Sequence, residues 1–106
     1  MSARPEPSPQ GDDAPEVHRL RGTVRGRVQR VGYRMFVMQS ARRHGCRGWV
    51  RNMPDGTVGF EAEGTEEALT ELLTDLYRGP VMSHVEDIEL SWSRGTASFT
   101  DFQIIR

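Results

Sequence analysis

Residues 26–34 read "GRVQRVGYR", three arginines and two glycines in nine positions with no acid among them. Glycines let a backbone come close to a ligand, and successive N–H groups in a loop of this kind form a concave anion-binding nest. Arg34 adds a planar guanidinium whose paired donors match phosphate oxygens. A second candidate lies in "GWVRNMPDGTV", residues 48–58, where Asn52 precedes a turn. Its side-chain amide donates and accepts at once, which suits holding a water in line for attack. Each feature also has an ordinary reading. A glycine-rich loop can simply join a strand to a helix, and asparagine before a turn often only bonds the turn.

The elements that must position these residues are legible on either side. From Val17 to Gln29, Leu20, Gly22, Val24, Gly26 and Val28 alternate with Arg19, Arg21, Arg25 and Arg27. Period two predicts a strand with one buried face and an arginine stripe on the other. Tyr33, Phe36, Val37 and Ala41 then fall at helical spacing, and Gly45 supplies a stop. The loop thus runs from a strand end into a helix start, where the helix dipole is positive and favours anions. Residues 46–64 read as a hairpin around Pro54-Asp55-Gly56. Thr65 is a natural N-cap for a second helix with an apolar stripe of Leu69, Leu72, Leu73 and Leu76, ended by Gly79-Pro80. "VEDIELSWS" and "ASFTDFQIIR" read as one strand each. This order predicts an α+β, ferredoxin-like βαββαβ sandwich with a short extra C-terminal strand, two helices covering one face of an antiparallel sheet.

Composition bounds the rest. The chain has 106 residues, room for one core. Residues 1–16 hold four of the six prolines and a net charge of −3, which predicts a disordered tail before a domain at 17–106. All fourteen basic residues are arginine; ten lie in residues 17–54, which contain no Asp or Glu. That asymmetry suggests an anionic partner for the first half. No apolar run approaches membrane-spanning length and no signal pattern opens the chain, so a cytoplasmic protein without a membrane partner is expected. Cys46 is the single cysteine and no His/Cys cluster has ligand spacing, so neither a disulfide scaffold nor a metal or cofactor is expected. His18, His44 and His84 are scattered, with no nucleophile in a recognisable motif. Glu61 and Glu63 read as a solvated edge, and Met35, Phe36, Met38 and Trp49 as core.

Taken together, Gly26-Arg27-Val28-Gln29-x-Val31-Gly32-Tyr33-Arg34 and Gly48-Trp49-Val50-Arg51-Asn52-x-x-Asp55-Gly56-x-Val58 with Gly64 closely resemble the acylphosphatase family. The resemblance runs from about Val17 to Arg106. It implies hydrolysis of the carboxyl–phosphate bond of a small acyl phosphate without metal or cofactor. The phosphate would lie in the loop, against Gln29, Arg30, Val31, Gly32 and Tyr33, with Arg34 on its oxygens and Asn52 orienting the attacking water. One position departs: where the family usually has glycine, this chain has Arg30. If the backbone there is left-handed, a side chain costs about 1–2 kcal/mol.

A monomer without a nucleic-acid partner is expected. The competing class is an RNA-binding ferredoxin-like module, but the first strand offers arginines and no aromatic for base stacking. A non-catalytic acyl-phosphate-binding domain is the third reading.

Overall fold

The computed structural model describes residues 16–106. The expected disordered tail, residues 1–16, lies almost wholly outside them. Along the described chain the elements are β1 (His18–Arg27), α1 (Tyr33–Arg43), β2 (Arg47–Asn52), β3 (Val58–Gly64), α2 (Glu66–Arg78), β4 (His84–Arg94) and β5 (Phe102–Ile104). The strands form one sheet in the order β4-β1-β3-β2-β5. All neighbours are antiparallel except β5, which runs parallel to β2. This is the ferredoxin-like sandwich the sequence predicts, with the last strand added at the β2 edge.

Register assigns the two faces. Leu20, Gly22 and Val24 of β1 pair with Ala62, Phe60 and Val58 of β3, which in turn pair with Gly48, Val50 and Asn52 of β2. These residues share the face that the helices cover, and Leu20, Val24, Val50, Val58, Phe60 and Ala62 are fully buried there. Leu69, Leu72 and Leu76 of α2 and Val37 and Ala41 of α1 close the core from above. Each large apolar side chain so buried contributes about 1.5–3 kcal/mol. Tyr33 joins them with its ring in the core. Its hydroxyl donates to the Leu76 carbonyl at 2.7 Å, tying α1 to α2, and burial pushes its pKa well up.

The other face carries the arginine stripe, and there the structure differs from the reading of Glu61 and Glu63. β3 is the central strand, so both carboxylates are buried and not at a solvated edge. They are held by the stripe itself. Arg19 meets Glu63 at 2.7 Å and Arg21 meets Glu61 at 3.0 Å, while Arg25 reaches Asp87 and Glu89 on β4. Burial pushes the Glu63 carboxyl up, but the Thr96 N–H, Arg19 and the Ser98 N–H outweigh it and hold it below the usual range. Much of the concentrated positive charge of residues 17–54 is therefore answered inside the fold.

At the end of β1 the register with β4 shifts between Arg25 and Gly26. Gly26 has φ 131°, and a Cβ there would overlap the His84 carbonyl oxygen. Only glycine lets β1 bend at this bulge, and the bend delivers the chain into the loop before α1.

Candidate functional site

The two helices start in opposite ways. Helix α2 begins conventionally: the Thr65 hydroxyl accepts from the Ala68 N–H, and Glu66 and Glu67 sit in the first turn, where negative charge complements the dipole. Helix α1 has none of this. Its N-cap is Gly32 at φ 79°, a left-handed conformation, with no side-chain cap and no acid in the first turn. Arg34 stands there instead, a positive charge at the positive end of the dipole, which is locally unfavourable. Among the described residues, no N–H from Gln29 to Met35 donates to a backbone carbonyl; the first that does is Phe36, to Gly32. A helix start left uncapped, basic and rich in spare N–H groups is an anion site in waiting.

Arg30 lies inside this loop at φ 66°, again left-handed, so the condition raised from the sequence holds. The guanidinium is exposed, and among the described residues no carboxylate pairs with Arg30 or Arg34. The expectation for Gln29 concerns its backbone N–H, and its side chain has a separate use. Its side-chain amide donates to the Met53 and Thr57 carbonyls at 2.9 and 2.8 Å. It is a strut between the loop and the β2–β3 turn, and that turn is closed by Asp55 accepting from the Thr57 N–H and hydroxyl. Tyr33 can offer the site only its backbone, since its side chain is in the core. Val31 packs against the core edge.

Asn52 ends β2 and shares the helix-covered face with Val50. That places its side chain beside the start of α1. Its Oδ1 is buried and has no hydrogen-bond partner among the described residues, which leaves it an acceptor for a group outside the fold.

Two adjoining clefts meet at these residues. A smaller one of about 210 Å³ lies over the loop and includes Arg30, Gly32, Arg34 and Asn52. A larger one of about 610 Å³ is lined by Arg34, Asn52, Ile104 and Arg106. Arg34, Asn52 and Ile104 belong to both. Sequence reasoning missed Ile104 and Arg106, because only the parallel pairing of β5 with β2 brings residues 104–106 to the site. It also placed Met35 in the core, whereas Met35 is half exposed and borders the smaller cleft; Phe36, Met38 and Trp49 are partly buried. Among the described residues, none of the side chains lining either cleft is Asp, Glu, His, Cys, Ser or Thr. The site therefore offers donors and positive charge, but neither a nucleophile for covalent catalysis nor a general acid. Among the described residues no group of three or more His, Cys, Asp or Glu could hold a metal ion.

Known proteins agree with this geometry. The acylphosphatase family model matches residues 20–104. An acylphosphatase of Salinibacter ruber is 41% identical over 88 residues, covering 83% of this chain and 93% of that protein. The crystal structure of acylphosphatase from Bacillus subtilis superposes with a TM-score of 0.82 at 38% identity, over 84% of this chain and 99% of that one. Full-length HypF, in a phosphate- and nucleotide-bound form, also matches with a TM-score of 0.81 at 25% identity, over 90% of this chain but 12% of that one. Since the similarity spans every strand and both helices at such identities, the chain belongs to the acylphosphatase family.

Proposed function

We propose that the chain hydrolyses acyl phosphates to a carboxylate and inorganic phosphate, with the phosphoryl group in the 26–34 loop. The spare N–H groups of Gln29 to Arg34 and the Arg34 guanidinium take its oxygens, and the Asn52 amide holds the attacking water. The oxygen of that water bonds to phosphorus while the phosphorus–oxygen bond to the acyl group breaks, its electron pair leaving with the carboxylate. A water proton ends on the product phosphate, so no protein base is required. Phosphoryl transfer asks chiefly for positioning and charge stabilisation, and these groups supply both.

The observation that carries the reading is the cleft lining: donors without a nucleophile or general acid. Such a site can expel only a leaving group that needs no proton. A carboxylate qualifies, its conjugate acid having a pKa of about 4; an alkoxide does not. All of these residues come from one chain, so a monomer suffices. Cys46 is a buried free thiol, which fits the reducing cytoplasm. Arg19, Arg21 and Arg25 are paired internally, which leaves the stripe poorly suited to a nucleic-acid backbone. The test is phosphate release from benzoyl phosphate with EDTA present. Hydrolysis should persist in EDTA, and glycerol phosphate should remain essentially untouched. Loss of activity in EDTA, or comparable hydrolysis of the two compounds, would refute the proposal.

Arg30 supplies a further expectation. Left-handed strain costs about 1–2 kcal/mol, whereas an exposed arginine near a phosphate returns less than about 1 kcal/mol. Glycine's extra freedom in the unfolded chain offsets about 0.4–1 kcal/mol of the relief. Arg30→Gly should therefore turn over benzoyl phosphate at least as fast as wild type and melt no lower. A tenfold loss of turnover would make Arg30 a working phosphate ligand.

A further inference from the structure

The loop and Asn52 account for the phosphate and the water, but leave the larger cleft and Arg106 unused. β5 pairs in parallel with β2 through Gly48 with Phe102 and Val50 with Ile104, and the Ile105 N–H donates to the Val50 carbonyl at 2.9 Å. Carrying that register forward by two residues sets Arg106 level with Asn52. Period two then puts Phe102, Ile104 and Arg106 on the helix-covered face, as it does Gly48, Val50 and Asn52. Phe102 is buried in the core, Ile104 packs at its margin and Arg106 emerges into the cleft.

The distribution of residues between the two clefts gives this placement a direction. The loop residues Arg30 and Gly32 border only the smaller cleft, and Arg106 borders only the larger. A phosphoryl group in the loop thus occupies the smaller cleft, while Arg106 lines the adjoining one. The acyl half of the substrate has the larger cleft to enter, with Ile104 as an apolar contact on the way. Among the described residues no carboxylate pairs with Arg106, whereas Arg19, Arg21, Arg25, Arg42 and Arg43 all have one.

Resting on the function proposed above, we infer that Arg106 is a specificity-determining residue that receives a second carboxylate on the acyl group, and that the preferred substrates are monoacyl phosphates of dicarboxylic acids. Its guanidinium is matched to a carboxylate in charge and in geometry. The cleft is open to solvent, so the attraction is that of a partly screened ion pair and amounts to about a fivefold preference.

The experiment compares kcat/KM for benzoyl phosphate with that for 3- and 4-carboxybenzoyl phosphate, rigid probes whose added carboxylate cannot attack the acyl phosphate. The readout is the ratio of the better carboxylated probe to benzoyl phosphate. In wild type it should be about 5, in Arg106→Gln about 1, and in Arg106→Glu below 1. The wild-type ratio should fall towards 1 in high salt. A wild-type ratio at or below 1, or a ratio unchanged in Arg106→Gln, would overturn the assignment, the second even if both substrates slowed together. Turnover of benzoyl phosphate with no carboxylate preference would sink this inference alone. Failure to hydrolyse any of the three would overturn the hydrolase reading and this inference with it.

Discussion

Asn52→Ala should lower turnover of an acyl phosphate by about 10²–10³-fold while leaving inorganic phosphate binding nearly unchanged. The amide lies at the end of β2, against the loop and not within it, so on the proposed roles its removal takes away the partner of the water and none of the phosphate donors. Misplacing one reactant in an otherwise intact site costs about 10²-fold or more. Stability should change little. The Asn52 Oδ1 accepts no hydrogen bond from the described residues, so its loss breaks none within the fold. The variant should therefore melt close to the wild-type temperature. Phosphate affinity can be read as competitive inhibition of residual turnover or by direct titration. Weakened phosphate binding by Asn52→Ala would place the amide on the phosphate and not on the water.

Arg34→Ala should fail differently. Losing one preorganised donor to developing charge costs about 10²–10³ in rate, and in the proposed reaction the donor is also the charged ligand in the cradle. Turnover and phosphate affinity should fall together. The melting temperature should hold or rise slightly. Arg34 sits in the first turn of α1 without an acid beside it, and positive charge at that end of a helix costs about 0.3–1 kcal/mol. Undiminished phosphate affinity in Arg34→Ala would break the assignment. Two substitutions that cripple the reaction and spare the fold would mark both residues as kept for chemistry and not for folding.

Most of the fold was open to direct reading because its signals are local. The alternation in β1, the Thr65 cap with its leucine stripe and the Pro-Asp-Gly turn each declare an element without reference to anything distant. The loop was legible for the same reason, its glycines and arginines being consecutive. What escaped depends on which strand lies beside which. Glu61 and Glu63 alternate as a half-exposed strand would, and only the central position of β3 and the arginines of β1 show them buried and paired. Gln29 sits among phosphate-binding candidates in the sequence, yet its amide spans to Met53 and Thr57, a contact that spacing cannot reveal. Arg106 lies more than fifty residues from Asn52 in sequence, and only a parallel edge strand brings it to the cleft. Arg30 is the intermediate case. The family's glycine at that position raised a left-handed backbone only as a condition, since arginine by itself argues for the opposite, and the structure meets that condition.

The central claim is that a water beside Asn52 attacks phosphorus in the loop and not the acyl carbon. It is tested most directly by a single turnover of benzoyl phosphate in ¹⁸O-enriched water, followed by mass analysis of both products. The label should appear in inorganic phosphate, one atom per phosphate released, with none in benzoate. Label in benzoate, with phosphate free of it, would show attack at the carbonyl carbon. That result would contradict the roles given to Arg34 and Asn52.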